Sequence, residues 1–172
     1  MKPPRLSRLG LPKLDLLGHK NGLRRAWDYC ARVPGGARLF DALIAFTIPY
    51  TGSIRPRVLS VEVGRARVEL RDRRSVRNHL NSIHAVALAN LAEYAGNLAL
   101  AYSLPDGARF IVKRLSIDYE KKARGVIVAE GRCPPIDTTA RQELEVVCDL
   151  VDSGGKRVAR AVLATLVGPI SG

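Results

Sequence analysis

The chain has 172 residues, 47% of them hydrophobic, and a formal net charge of +12. That length suits one domain with an ordinary core and leaves little room for two. The charge favours polyanionic partners, but the arginines are scattered and come without zinc-finger spacing, an RNP-like aromatic motif, GxGxxG or a P-loop, so no specific nucleic-acid partner is expected.

Residues 1–20 form a basic segment broken by Pro3, Pro4, Gly10 and Pro12. It has no unbroken apolar stretch, so it does not read as a signal peptide. It is expected to be a flexible lead into a single domain over 21–172, whose first part, 21–50, is a helical extension. Leu23, Trp27 and Cys30 then fall at helical spacing and predict a short amphipathic helix from Asn21 to Val33. Pro34, Gly35 and Gly36 stop it. A second short helix is expected from Leu39 to Phe46, ending near Pro49.

From Pro56 the period changes to two. Val58 to Val63 reads as a strand, and Gly64 as a turn. Arg65, Arg67, Glu69 and Arg71 then alternate with Ala66, Val68 and Leu70, the pattern of a half-buried antiparallel strand. Next comes a long helix, from Ile83 to Ser103, apolar on almost every side and closed by Pro105, Asp106 and Gly107. His84, Asn90, Glu93 and Asn97 within it argue against a membrane span, so it is expected to be buried in a protein core. Four strands follow: Arg109–Tyr119, Gly125–Cys133, Gln142–Val151 and Arg157–Val167, with Ser153-Gly154-Gly155 a hairpin signal. A curved antiparallel sheet of about six strands wrapped around one buried helix, an α+β architecture, satisfies both patterns. Cys30, Cys133 and Cys148 are far apart and lack CxxC spacing. They read as small buried hydrophobes in a reduced cytoplasm, not as a disulfide framework or metal site.

Two features carry chemistry. Asn90, Glu93 and Asn97 interrupt the apolar helix on one narrow face. A carboxylate there needs partners or an aqueous cleft. It suits a general base or nucleophile, or else a subunit-facing ion pair. Ahead of the helix, the polar run from Arg77 to His84 delivers the chain to a helix N-terminus, whose free N–H groups can stabilise an oxyanion. The alternative is that Ser82 simply caps the helix.

The run Asn78-His79-Leu80-Asn81-Ser82-Ile83-His84-Ala85-Val86-Ala87-Leu88-Ala89-Asn90-Leu91-Ala92-Glu93 resembles the signature of hotdog-fold thioesterases related to the phenylacetyl-CoA thioesterase. That signature has Asn or Gln six residues before a His, Gly-Gly after it, and Leu-Ala-Asp/Glu ending nine residues past it. Leu115 to Tyr119 and Ala123-Arg124-Gly125 resemble the strand and turn that follow. The likeness covers Val58 to Val167, and the leading helices resemble an uncharacterised bacterial branch. It implies a hotdog fold and acyl-CoA hydrolysis. Glu93 would attack the thioester or activate water, Asn78 would hold substrate or water, and the Ala85 N–H, beside His84, would polarise the carbonyl. Asn97 stands where the family often has Ser or Thr, and Ala85-Val86 replaces Gly-Gly.

The family builds its site from two subunits, so a homodimer is implied, with pairing into a tetramer open. Coenzyme A enters as part of the substrate, with no separate cofactor and no metal. Its phosphates give a use to Arg74 and Arg77 before the helix and to Lys121, Lys122 and Arg124 after the next strand. The substitutions at Ala85-Val86 and Asn97 suggest a second reading, a non-catalytic acyl-CoA-binding protein. A third, weaker one is a basic nucleic-acid or membrane-surface binder.

Overall fold

The computed structural model describes residues 20–170. The basic lead, apart from Lys20, lies outside the described residues. Helix α1 (Gly22–Ala31) starts at Asn21, whose side-chain oxygen accepts the Arg24 N–H at 2.9 Å. It buries Ala26, Trp27 and Cys30. Helix α2 (Gly36–Thr47) begins three residues earlier than its pattern predicts and buries Phe40 and Ile44. Trp27 meets Phe40 edge-on, ring centres 5.1 Å apart, which ties the two helices. Pro49 does not merely end α2. It opens a further short helix, α3 (Pro49–Ser53), where its missing N–H costs nothing.

The strands are β1 (Arg57–Glu62) and β2 (Arg65–Arg71), then, beyond a single 3-10 turn at Arg74–Val76 and helix α4 (Ala85–Ser103), β3 (Ala108–Tyr119), β4 (Val126–Arg132), β5 (Gln142–Asp152) and β6 (Arg157–Pro169). They form one antiparallel sheet in the order β1-β2-β4-β5-β6-β3. Gly64 turns β1 into β2 at φ +79°, a conformation that other residues rarely adopt. The alternation read in β2 holds: Ala66, Val68 and Leu70 are fully buried beneath α4.

Helix α4 lies on the inner face, in contact with all six strands. It approaches β4 closely at Gly131, where a Cβ would sit 2.4 Å from the Ala95 carbonyl oxygen. Twelve of its nineteen residues are buried. The remainder include Val86, Ala89, Glu93, Asn97 and Ala101, spaced three or four apart, so they form one stripe that the sheet does not cover.

The outer face of the sheet accounts for much of the scattered arginine. Glu130 bonds Arg65 and Arg132, and Asp149 meets Arg132 at 3.1 Å, Arg160 at 3.2 Å and Arg157 at 3.5 Å. These cross-strand ladders neutralise charge locally, and each exposed pair contributes up to about 1 kcal/mol. Among the described residues no helix is long and apolar enough to cross a membrane. Cys30 and Cys148 are buried and Cys133 is half-buried, all as free thiols, and burial pushes Cys148 up to about 12.

Candidate active site

The site begins with the loop that feeds α4. Asn78 organises it: its side-chain oxygen accepts the Leu80 N–H at 2.9 Å, the Ser82 N–H at 3.3 Å and the Ser82 hydroxyl at 3.2 Å. Asn81 completes the turn at φ +53°, which Asn tolerates better than most residues. Ser82 is therefore not the helix cap. The cap is His84, whose Nδ1 accepts the Val86 N–H at 3.1 Å, and the helix starts two residues later than its apolar pattern suggests. With Nδ1 taken as the acceptor of the cap, Nε2 is the ring nitrogen left for other partners. The Ala85 N–H, one residue before the capped one, meets no acceptor among the described residues. Tyr119, at the end of β3, donates its hydroxyl to the Ala85 carbonyl at 2.9 Å and holds the first helical residue from the other side. Nothing in the sequence pattern points to that contact.

The loop is pinned to the turn before β4. Asp72 exchanges backbone and side-chain hydrogen bonds with Gly125 and receives Arg77 Nε at 2.6 Å. The Arg77 hydrogen bond, helped by the Gly125 N–H and the charges of Arg77 and Arg124, holds its carboxyl below the usual range against the opposing effect of burial. Arg124 Nε donates to the Asn81 carbonyl at 3.1 Å. Two of the expected cationic groups, Arg77 and Arg124, thus meet at the start of α4. Arg74 and Lys122 are exposed without an ion-pair partner among the described residues, and Lys121 is taken by Asp152.

Beside this helix start lies a cavity of about 430 Å³. Arg77, His84, Val86, Ala87 and Asn90 line one side, and Tyr50, Ser53 and Ile54 another. The wall from the N-terminal extension was not expected. Neither Glu93 nor Asn97 lines this cavity. They lie further along the uncovered stripe, about 12 Å and 18 Å past Ala85 at 1.5 Å per residue. The Glu93 carboxylate is half-buried and has no partner among the described residues. The Asn97 side-chain oxygen is enclosed without a donor among the described residues. So is the hydroxyl of Tyr94 on the adjoining face, whose pKa burial and the nearby Asp41 charge drive far up. Asn90 is the exception in this group: its amide donates to the Tyr50 carbonyl at 3.2 Å.

A single antiparallel sheet of this strand order, wrapped around one buried helix, is the hotdog fold, as the sequence leads one to expect. Over residues 36–167 the chain matches the family described as "Domain of unknown function (DUF4442)", and it belongs to that family. The match takes in α2 and α3 as well as the hotdog core. A crystal structure solved as genomics target APC5556 is 31% identical, with 87% of this chain and 98% of that chain aligned at a TM-score of 0.74. A Pseudomonas aeruginosa protein, PA5026, described as of unknown function and a probable thioesterase, is 23% identical, covering 80% and 97% of the two chains at 0.70. The Haemophilus influenzae thioesterase HI1161 shares the fold at 12% identity, 77% and 90% coverage and 0.67. No curated protein matches.

Proposed function

We propose that this protein is a cytoplasmic thioesterase that hydrolyses acyl-CoA thioesters, and that it works as a homodimer. The observation that carries the reading is the uncovered stripe of α4: among the described residues, an otherwise buried helix presents a carboxylate, Glu93, without a partner, and starts at an N–H, that of Ala85, without an acceptor. A carboxylate there can attack the thioester or take a proton from water, and a free helix N-terminal N–H can bind the oxyanion that forms. His84, whose Nδ1 accepts the Val86 N–H, has Nε2 left as a second donor beside it. With the Asn78 oxygen committed to its own loop, its amide N–H groups are left to hold substrate or water. Arg74, Arg77, Lys122 and Arg124 would meet the phosphates of coenzyme A.

The separation of about 12 Å along one helix favours two copies. It exceeds what one thioester spans between a polarised carbonyl oxygen and an attacking oxygen. A second copy, paired through β3 about a two-fold axis, would run its α4 antiparallel to the first. Its Glu93 would then approach this chain's Ala85.

A second reading, an acyl-CoA-binding protein without turnover, draws on Val86, whose exposed side chain stands at the helix start. A panel of acyl-CoA substrates separates the two. Thioesterase action requires release of free thiol from at least one substrate, and Glu93→Gln must lower it by roughly 10³-fold while acyl-CoA still binds. Binding without release, in the native protein, would favour the second reading.

A further inference from the structure

We infer that α3 is the selectivity element of this site, and that Asn90 is the positioning residue that sets it. The inference rests on the acyl-CoA reading above and names what that reading leaves open, the part of the protein that measures the acyl group.

Helix α3 is not held by a core of its own. None of its residues is buried, and Tyr50 is 67% exposed. Three contacts fix it. On one side Gly52 lies directly against α2, where a Cβ would come 2.7 Å from the Ala45 Cα. At its end the Arg73 guanidinium donates to the Ile54 carbonyl. On the cavity side, the Asn90 amide reaches out of α4 to the Tyr50 carbonyl, which the Ser53 hydroxyl also bonds.

Asn90 is 7% exposed on a helix whose other buried positions are nearly all apolar. Burying an amide is costly unless it is bonded, and a leucine of similar size would pack there without that cost. Its use is therefore the bond. It joins the element that carries Ala85 and Glu93 to the element that supplies the cavity's far wall. Tyr50, Ser53 and Ile54 face the helix start across about 430 Å³. Gly52 and Arg73 hold α3 from behind and at its end, and the tie across the cavity to α4 is this one hydrogen bond, α3 and α4 packing little against each other. A cleft bounded on this side by α3 suits an acyl group compact enough to lie between the two walls. A longer chain must push α3 outward and break the Asn90 bond. Loosening α3 changes which acyl groups fit and leaves the attacking carboxylate and the oxyanion donor where they are.

The test is equilibrium binding of saturated straight-chain acyl-CoA thioesters of two to sixteen carbons to the full-length protein, by competitive displacement of a fluorescent acyl-CoA. Wild type, Asn90→Leu and Tyr50→Ala are compared. Tyr50→Ala alters an exposed side chain and is safe for folding. The native protein is expected to favour the short chains over the longest by at least about tenfold, since single methylenes already discriminate at this level in a fitted pocket. Both variants should cut that ratio to about threefold or less, by gaining affinity for long chains. A purely structural role for Asn90 would weaken all chains alike. An unchanged ratio in both variants, or a native protein that favours the long chains, overturns the inference while leaving acyl-CoA binding intact. If no acyl-CoA binds the native protein, the reading beneath it falls first.

Discussion

The two edges of the sheet are finished differently. Strand β1 is six residues long, carries a bulge between Val58 and Ser60, and is covered by its own N-terminal helices. Asp41 of α2 accepts the Val58 N–H at 3.0 Å, and the Trp27 indole of α1 donates to the Val61 carbonyl at 3.1 Å. Side chains thus occupy the backbone groups that an added strand would need. Strand β3 is twice as long, has no buried residue, and pairs only with β6. Its Ile111 is 63% exposed on the outer face, and its inward side chains, Phe110 and Val112 among them, are only partly buried. One edge is closed by this chain. The other has the length and apolar surface to be closed by a second copy.

The sharpest way to break that contrast is to mix two inactive proteins. Ala85→Pro removes the proposed oxyanion donor with little harm to the helix, because proline suits its first position and His84 before it is already extended. Glu93→Gln removes the carboxylate. If each site takes one group from each copy, unfolding and refolding the two variants together restores about a quarter of wild-type turnover, since half the dimers are mixed and each mixed dimer has one intact site. Mixtures that remain at background would place both groups in one chain.

A second comparison uses one charge on each edge. Ile111→Lys on β3 is expected to convert dimer to monomer in light scattering and to lower turnover by roughly 10²-fold. Leu59→Lys on β1, 42% exposed, should change neither. Equal effects at both edges would erase the distinction.

The smallest effect concerns the covered edge. Burial raises the Asp41 carboxyl above its ordinary range, against the opposing Val58 hydrogen bond and Arg57 charge. With the folded pKa above the unfolded one, the ionised group costs stability, and that cost grows as pH rises from the unfolded through the folded value. Asp41→Asn keeps an acceptor for the Val58 N–H and loses the charge. It should therefore be slightly more stable than wild type at neutral pH, the gap closing as pH falls below the carboxylate range. Asp41→Ala, with no acceptor, should lie about 1 kcal/mol below Asp41→Asn at either pH. Thermal melts at pH 7 and pH 3 read both.

Elements whose patterns answer to burial were legible in the sequence. The alternation in β2, the apolar sweep of α4 and the glycine turns follow from what faces the core, and their bounds hold to within a few residues. Helix α3 was not legible. Five residues with proline, threonine, glycine and serine have no period to read, and the helix is held by contacts far away in the chain. The same limit explains the cap. Ser82 and His84 both suit a helix start, and only the fold shows that Ser82 is drawn back to Asn78. Scattered arginines looked like a solvated or polyanion-facing surface because Arg132, Arg157 and Arg160 come together at Asp149 only through strand register. Within the site, Asn78, His84 and Ala85 do gather. The wall opposite them, Tyr50 to Ile54, lies outside the segment in which the site was sought.

The absent side chain at Gly131 lets the middle of α4 touch β4 main chain to main chain. No rotamer change can loosen such a contact. In hydrogen–deuterium exchange the amides around Ala95 therefore open only with the sheet itself, whereas those of α3, with nothing buried, exchange through local opening. The candidate nucleophile rides on the slowest part of the molecule and the wall that measures its substrate on one of the fastest.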